Sequence, residues 1–154
     1  MSDWLGGVLV QGMRLGIDPW LHTQAGVQRL RTSVEAVGAS LVFVETNLVD
    51  AVWDDQPLPP SAPAVPHEER FAGRSSAHKR ASLGEALARE RLDAAVLTQP
   101  DSIAWLLNVR GGDVDHTPLA LSFAILEADG TVEWFIAPEK RSDALVAHLG
   151  RGVD

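Results

Sequence analysis

The sequence predicts an α/β fold made of two small lobes, each with a mixed sheet flanked by helices. Three observations carry that expectation. Strand, helix and strand patterns follow one another between residues 13 and 45; five prolines interrupt the chain between Asp54 and Pro66; helix, strand, helix, hairpin and helix patterns resume from Ser75. A chain of 154 residues that is 45% hydrophobic can bury cores of this size.

Trp4 to Val10 reads as the end of a helix, weakened by Gly6 and Gly7. Met13 to Ile17 reads as a strand closed by Asp18-Pro19, because proline forces the preceding residue into extended geometry. Thr23 is the expected N-cap of a helix through Val37, with Val27, Leu30, Val34 and Val37 on one face and Gly38 as its stop. Ser40 to Glu45 follows as a strand whose run of Leu41, Val42, Phe43 and Val44 suits burial on both faces. Pro57, Pro59, Pro60, Pro63 and Pro66 then make helix or central strand improbable, so Asp54 to Pro66 is expected to be a linker or extended crossing, with the lobe boundary near it and reaching to about Gly73.

In the second lobe Ser75 or Ser76 caps a helix to about Arg91, with Leu83, Ala86 and Leu87 as its apolar stripe and Glu85 and Arg89 spaced to pair. Leu92 to Thr98 is a strand. Pro100 and Asp101 open a helix that buries Ile103, Leu106 and Leu107. Leu119 to Leu126 and Thr131 to Ile136 are strands joined around Ala128-Asp129-Gly130, and Ser142 to Leu149 is a closing helix ended by Gly150.

Composition narrows the function. A net charge of −8 with scattered arginines argues against nucleic acid as a partner. No apolar run is long enough for a membrane span and the N-terminus lacks a basic, apolar leader, so a cytoplasmic protein is expected. With no cysteine, the chain has neither disulfides, thiolate zinc sites nor a cysteine nucleophile. His22, His67, His78, His116 and His148 are never three or four residues apart, which removes a helical zinc pair. No serine sits in a Gly-x-Ser-x-Gly elbow, and Gly111-Gly112 has no phosphate-loop lysine.

Asp113, Asp115 and His116 form the one compact cluster with metal-ligand chemistry, although such turns are usually solvated loops and further ligands would be required. A small metal-dependent hydrolase using these three residues is one reading of them. Arg110, before two glycines, can hold a carboxylate bidentately or pair internally with Asp113 or Asp115. Trp53 and Trp105, beside apolar neighbours, are expected in the core.

Three segments in order resemble one family. Ile17-Asp-Pro-Trp-Leu-His-Thr23 resembles a Gly-x-Asp-Pro stretch of the Xaa-Pro aminopeptidases (aminopeptidase P, of the creatinase superfamily). Asn47-Leu-Val-Asp-Ala-Val-Trp-Asp-Asp-Gln-Pro57 resembles a second stretch of it, with Gln56 in place of the usual arginine. Asp101 to Pro118, containing Trp105, Asn108, Arg110-Gly-Gly-Asp113 and His116, resembles the segment that precedes the catalytic domain.

The resemblance implies two creatinase-N-terminal-like lobes: residues 1–66 as the latter, incomplete part of the first domain, 67–74 as a linker and 75–154 as the second domain. It implies that the catalytic pita-bread domain, with the Asp, His and Glu ligands of a centre of two divalent metal ions (manganese), lies outside the chain. No catalytic residue or metal ligand maps here, and Asp129-Gly130-Thr131, though similar to a metal-ligand context of the superfamily, falls in the hairpin turn. The implied function is a non-catalytic portion of an enzyme acting on peptides with proline in second position. Such a portion shapes the active-site entrance and dimer contacts, and is inactive alone. Its partners would be the missing catalytic domain or a homodimer mate. Arg110, Asp113 and His116 are then the candidate substrate-binding or domain-facing residues, and exposed apolar surface is expected where a neighbouring domain would pack. The alternative is a stand-alone binding or scaffold protein on the same fold.

Overall fold

The computed structural model describes residues 2–154, in two compact units, Met1–Leu58 and Pro59–Asp154. The first contains α1 (Ser2–Val8), β1 (Arg14–Ile17), α2 (Gln24–Glu35) and β2 (Ser40–Phe43), with 3-10 turns at Pro19–Leu21 and Asp50–Val52. β1 and β2 run parallel, in register from Arg14 opposite Ser40 to Ile17 opposite Phe43, and α2 is the crossover between them. Thr23 starts α2 as expected: its backbone is extended and its Oγ1 accepts the Gly26 N–H at 3.1 Å. The helix ends in a Schellman pair. Gly38 N–H donates to Glu35 O at 3.0 Å and Ala39 N–H to Val34 O at 3.2 Å, which needs the positive φ of 74° at Gly38.

Val34, Ile17, Ala39 and Leu41 form this unit's core, with Leu15, Val27, Leu30 and Val37 packed against it. The expected burial of β2 on both faces is not met. Leu41 is buried, Val42 only half-buried, and Phe43, on the same face as Leu41, is 57% exposed, so burial covers only part of the apolar run. Trp53, expected in a core, is also exposed, together with Leu48, Val49 and Val52.

The second unit contains β3 (Val65–Pro66), α3 (Glu69–Ala72), α4 (Ser76–Arg89), β4 (Ala94–Leu97), α5 (Pro100–Leu107), β5 (Val109–Arg110), β6 (Phe123–Glu127), β7 (Val132–Phe135) and α6 (Asp143–Leu149). Its main sheet has the order β4-β6-β7, all antiparallel, and a parallel bridge from Val132 to Val153 makes it mixed. The β6–β7 hairpin turns at Gly130, φ 85°, where Asp129 Oδ1 accepts from Thr131 N–H at 2.8 Å and Thr131 Oγ1 at 2.7 Å. Ile103, Leu106 and Leu107 of α5 pack with Val109, Ala124, Leu126, Val132, Trp134, Leu145 and Leu149. Each such large side chain contributes roughly 1.5–3 kcal/mol of burial.

Prolines keep helix out of the 59–66 stretch, yet the end of this segment is not a free crossing. Ala64 is fully buried, its N–H donates to Lys140 O at 3.0 Å, and Val65–Pro66 pairs antiparallel with Val109–Arg110. Residues 67–74, expected as a linker, carry α3.

The apolar stripe expected on α4 holds in part: Leu87 packs half-buried against the core and Ala86 is half-buried, whereas Leu83 is exposed. The fully buried residues of the helix are Ser76, Lys79, Arg80 and Gly84, and no Glu85–Arg89 ion pair forms. Arg80 spends its guanidinium on backbone carbonyls, donating to Gly130 O at 2.9 Å, Gly152 O at 2.8 Å and Arg151 O at 3.2 Å. Gly84 permits close packing, because a Cβ there would lie 2.7 Å from Ala128 O.

Candidate functional site

α5 leads into the segment singled out by the sequence. Pro100 starts the helix at a position where a missing N–H costs nothing, and Asp101 Oδ1 accepts the Ser102 N–H at 2.8 Å. The helix stops at Asn108, whose φ of 52° lies in the left-handed region that asparagine tolerates better than most residues. Asn108 is buried, and both its amide oxygen and its amide nitrogen are hydrogen-bonded. Its Oδ1 accepts from Lys79 Nζ at 2.6 Å, its Nδ2 donates to Arg74 O at 2.8 Å, and its carbonyl accepts the His67 N–H at 2.8 Å.

Lys79 is only 4% exposed and has no carboxylate partner. It donates to Trp105 O at 2.8 Å and stands over the Trp105 ring at 4.5 Å. Burial, with Arg110 adding repulsion, pushes its ammonium below the usual lysine range. Trp105, expected in the core, is 52% exposed: its ring shelters the Lys79 charge on one side.

Arg110 continues the chain on β5 opposite Val65 and is half-buried. The expected internal ion pair with Asp113 or Asp115 is absent, and the guanidinium donates to Val109 O at 3.0 Å. Gly111 is required by close backbone approach, since a Cβ there would lie 2.6 Å from Ala120 N. Gly111 N–H donates to Pro118 O at 3.2 Å and Asp113 N–H to Leu119 O at 3.1 Å, closing a loop over residues 111–119.

Asp113 turns inward. Its side chain is fully buried against Lys140, whose Nζ lies 2.6 Å from Oδ2, and the same oxygen accepts the Leu121 N–H at 2.6 Å. The pair ties the loop to the 3-10 turn Pro138–Lys140. Its Oδ1 has no partner. His116 sits at the other extreme, exposed at the loop tip with φ 59°, beside exposed Asp115 and next to the Val114–Thr117 bridge.

These residues do not fit a metal. Asp113 already neutralises an ammonium, and among the described residues no three His, Asp or Glu side chains stand together as ligands. Arg110, Asp113 and His116 thus occupy three settings: a half-buried strand face, a buried ion pair and a solvent-facing tip. Sequence reasoning did not find Lys79 and Lys140, which carry no local signal. Asn108 had one, as an asparagine directly after an apolar helix.

Residues 55–154 match the Creatinase/Prolidase N-terminal domain model. The chain is 36% identical over 153 residues to an Aspergillus niger protein named "Probable Xaa-Pro aminopeptidase P", covering 99% of this chain and 25% of that one. It is 35% identical to the protein of the same name from Neosartorya fischeri, covering 99% and 23%. Among solved structures, an X-prolyl aminopeptidase from Caenorhabditis elegans, described as a cytosolic enzyme with a di-nuclear active site, superposes with a TM-score of 0.83 at 33% identity, over 99% of this chain and 25% of that one. The chain therefore spans about a quarter of the length of these relatives.

Proposed function

The chain belongs to the creatinase/prolidase N-terminal domain family, and on that premise we propose that it is the non-catalytic portion of an Xaa-Pro aminopeptidase. In this reading it shapes the active-site entrance, contributes dimer contacts and is inactive alone. The observation that supports it is coverage: similarity runs over 99% of this chain but only 25% of the Caenorhabditis elegans enzyme, whose active site is described as di-nuclear. Among the described residues no donor set for metals is assembled, and Asp113 is committed to Lys140. The two metal ions, which we take to be manganese, therefore belong in this proposal to a portion outside these residues. The same reading takes residues up to 66 as part of that family's first domain and those from 75 as its second, in a cytoplasmic enzyme. Among the described residues no helix is long and apolar enough to cross a membrane.

The residues of this chain then have a positioning role. The Asp113–Lys140 pair fixes the loop from inside, while Arg110 and His116 are left to face substrate or the catalytic portion. The test is recombination: the chain is mixed with a separately produced catalytic portion of a homologous enzyme. Co-elution and a lower KM for an Xaa-Pro peptide are expected. A catalytic portion that neither binds the chain nor changes its kinetics would contradict the proposal.

A further inference from the structure

The β3–β5 ladder and the adjoining α4 bring together Arg110, Lys79 and the His67 imidazole, which the fold leaves without a carboxylate partner. Residues opposite each other in an antiparallel pair project to one face, as do residues two apart on a strand. Val65 is opposite Arg110, and His67, two residues beyond Val65, donates its N–H to Asn108 O. Arg110 and His67 therefore share a face with the Asn108 position, and Asn108 Oδ1 brings Lys79 Nζ to it at 2.6 Å.

Among the described residues no carboxylate pairs with Arg110, His67 or Lys79. Glu68, adjacent to His67, is paired with Arg70 at 2.8 Å. Arg110 spends a single guanidinium nitrogen on Val109 O, and Lys79 is held by neutral groups only. The mutual repulsion is felt. Burial first, then Arg110 on β5 and Lys79 on α4, push the His67 imidazole below its ordinary value, with Glu68 opposing. Lys79 is the cation removed from water, and such a charge is ordinarily matched by an acid.

We propose that Arg110, His67 and Lys79 form a binding corner for the carboxylate of a peptide, either its C-terminus or an acidic side chain. Arg110 supplies the planar fork that fits a carboxylate, His67 a further donor, and the buried Lys79 an attractive field from behind. This rests on the reading of the Arg110 loop as substrate-facing and names the group it meets.

The test uses the chain alone, titrated with an N-acetylated tripeptide carrying a free C-terminus, with its C-terminal amide and with inorganic phosphate. Sodium chloride holds ionic strength constant. The readouts are the His67 ring resonances and the fluorescence of Trp105, the ring beneath Lys79. Saturable binding of the free acid but not the amide is expected, weakened about ten-fold or more by Arg110→Gln. A tripeptide with an internal aspartate and an amidated end separates the two carboxylate sources, and binding of either acid supports the site. Equal binding of amide and acid, unchanged affinity in R110Q, or phosphate binding more tightly than either acid would overturn the assignment. Because no catalytic portion is needed, failure here leaves the recombination test standing, and the reverse holds.

Discussion

Replacing Lys140 with methionine should strongly destabilise the second unit. The Lys140–Asp113 pair is 4% and 0% exposed, with 2.6 Å between Nζ and Oδ2. Removing the ammonium strands a buried carboxylate whose Oδ2 keeps only the Leu121 N–H and whose Oδ1 has no partner. Breaking a buried pair from one side costs about 3–5 kcal/mol. In a unit of this length, at about 4–8 °C per kcal/mol, Tm should fall by at least about 12 °C. The double variant Asp113→Leu with Lys140→Met removes both charges, so the remaining cost should be mainly the unaccepted Leu121 N–H, about 1–3 kcal/mol. Urea unfolding followed by tryptophan fluorescence gives these differences, and hydrogen exchange at the Leu121 amide localises them. A single-variant cost below about 1 kcal/mol, typical of a solvated surface pair, would refute the reasoning.

Gly111→Ala should loosen the same loop, since the new Cβ meets Ala120 backbone rather than a movable side chain. A loss of about 1–3 kcal/mol is expected, with faster exchange of the Gly111 and Asp113 amides; a Tm equal to the parent's would contradict it. Stability should also carry a slope from His67, whose folded value is pushed below 6.5 by burial, Arg110 and Lys79. The unfolded chain takes up this proton first as pH falls, so stability present above 6.5 is lost as pH falls through the lowered folded value. Comparing urea midpoints at about pH 7 and about pH 5, His67→Gln should show a shallower decline than the parent; identical slopes would remove His67 as the cause.

Much of this fold is legible locally. Thr23, Ser75 and Ser142 each cap the helix expected from them, through Gly26, His78 and Leu145 N–H groups. Gly38, Gly130 and Gly150 each take the positive φ that stops or turns the chain. What local pattern cannot show is the use of charge at long range. Lys79 looks like a solvated helix residue, but its partner Asn108 is 29 residues away, and Arg80 reaches Gly152 over 72. α4 thus buries Lys79 and Arg80 while Leu83 is exposed. Gly84 inside that helix was the available hint, since glycine there weakens a helix and is kept for close packing. The candidate residues divide the same way. The Arg110–His116 segment stands out by composition, whereas the inward turn of Asp113 depends on Lys140, 27 residues on. Trp105 departs from the expected core position for a related reason: an aromatic beside leucines normally joins the core, but this ring covers a lysine.

The most direct test of a non-catalytic role is the rate at which the purified chain cleaves an Xaa-Pro peptide in the presence of manganese. Hydrolysis at the level of buffer alone is expected at every chain concentration; release of the N-terminal residue in proportion to the chain added would contradict that role.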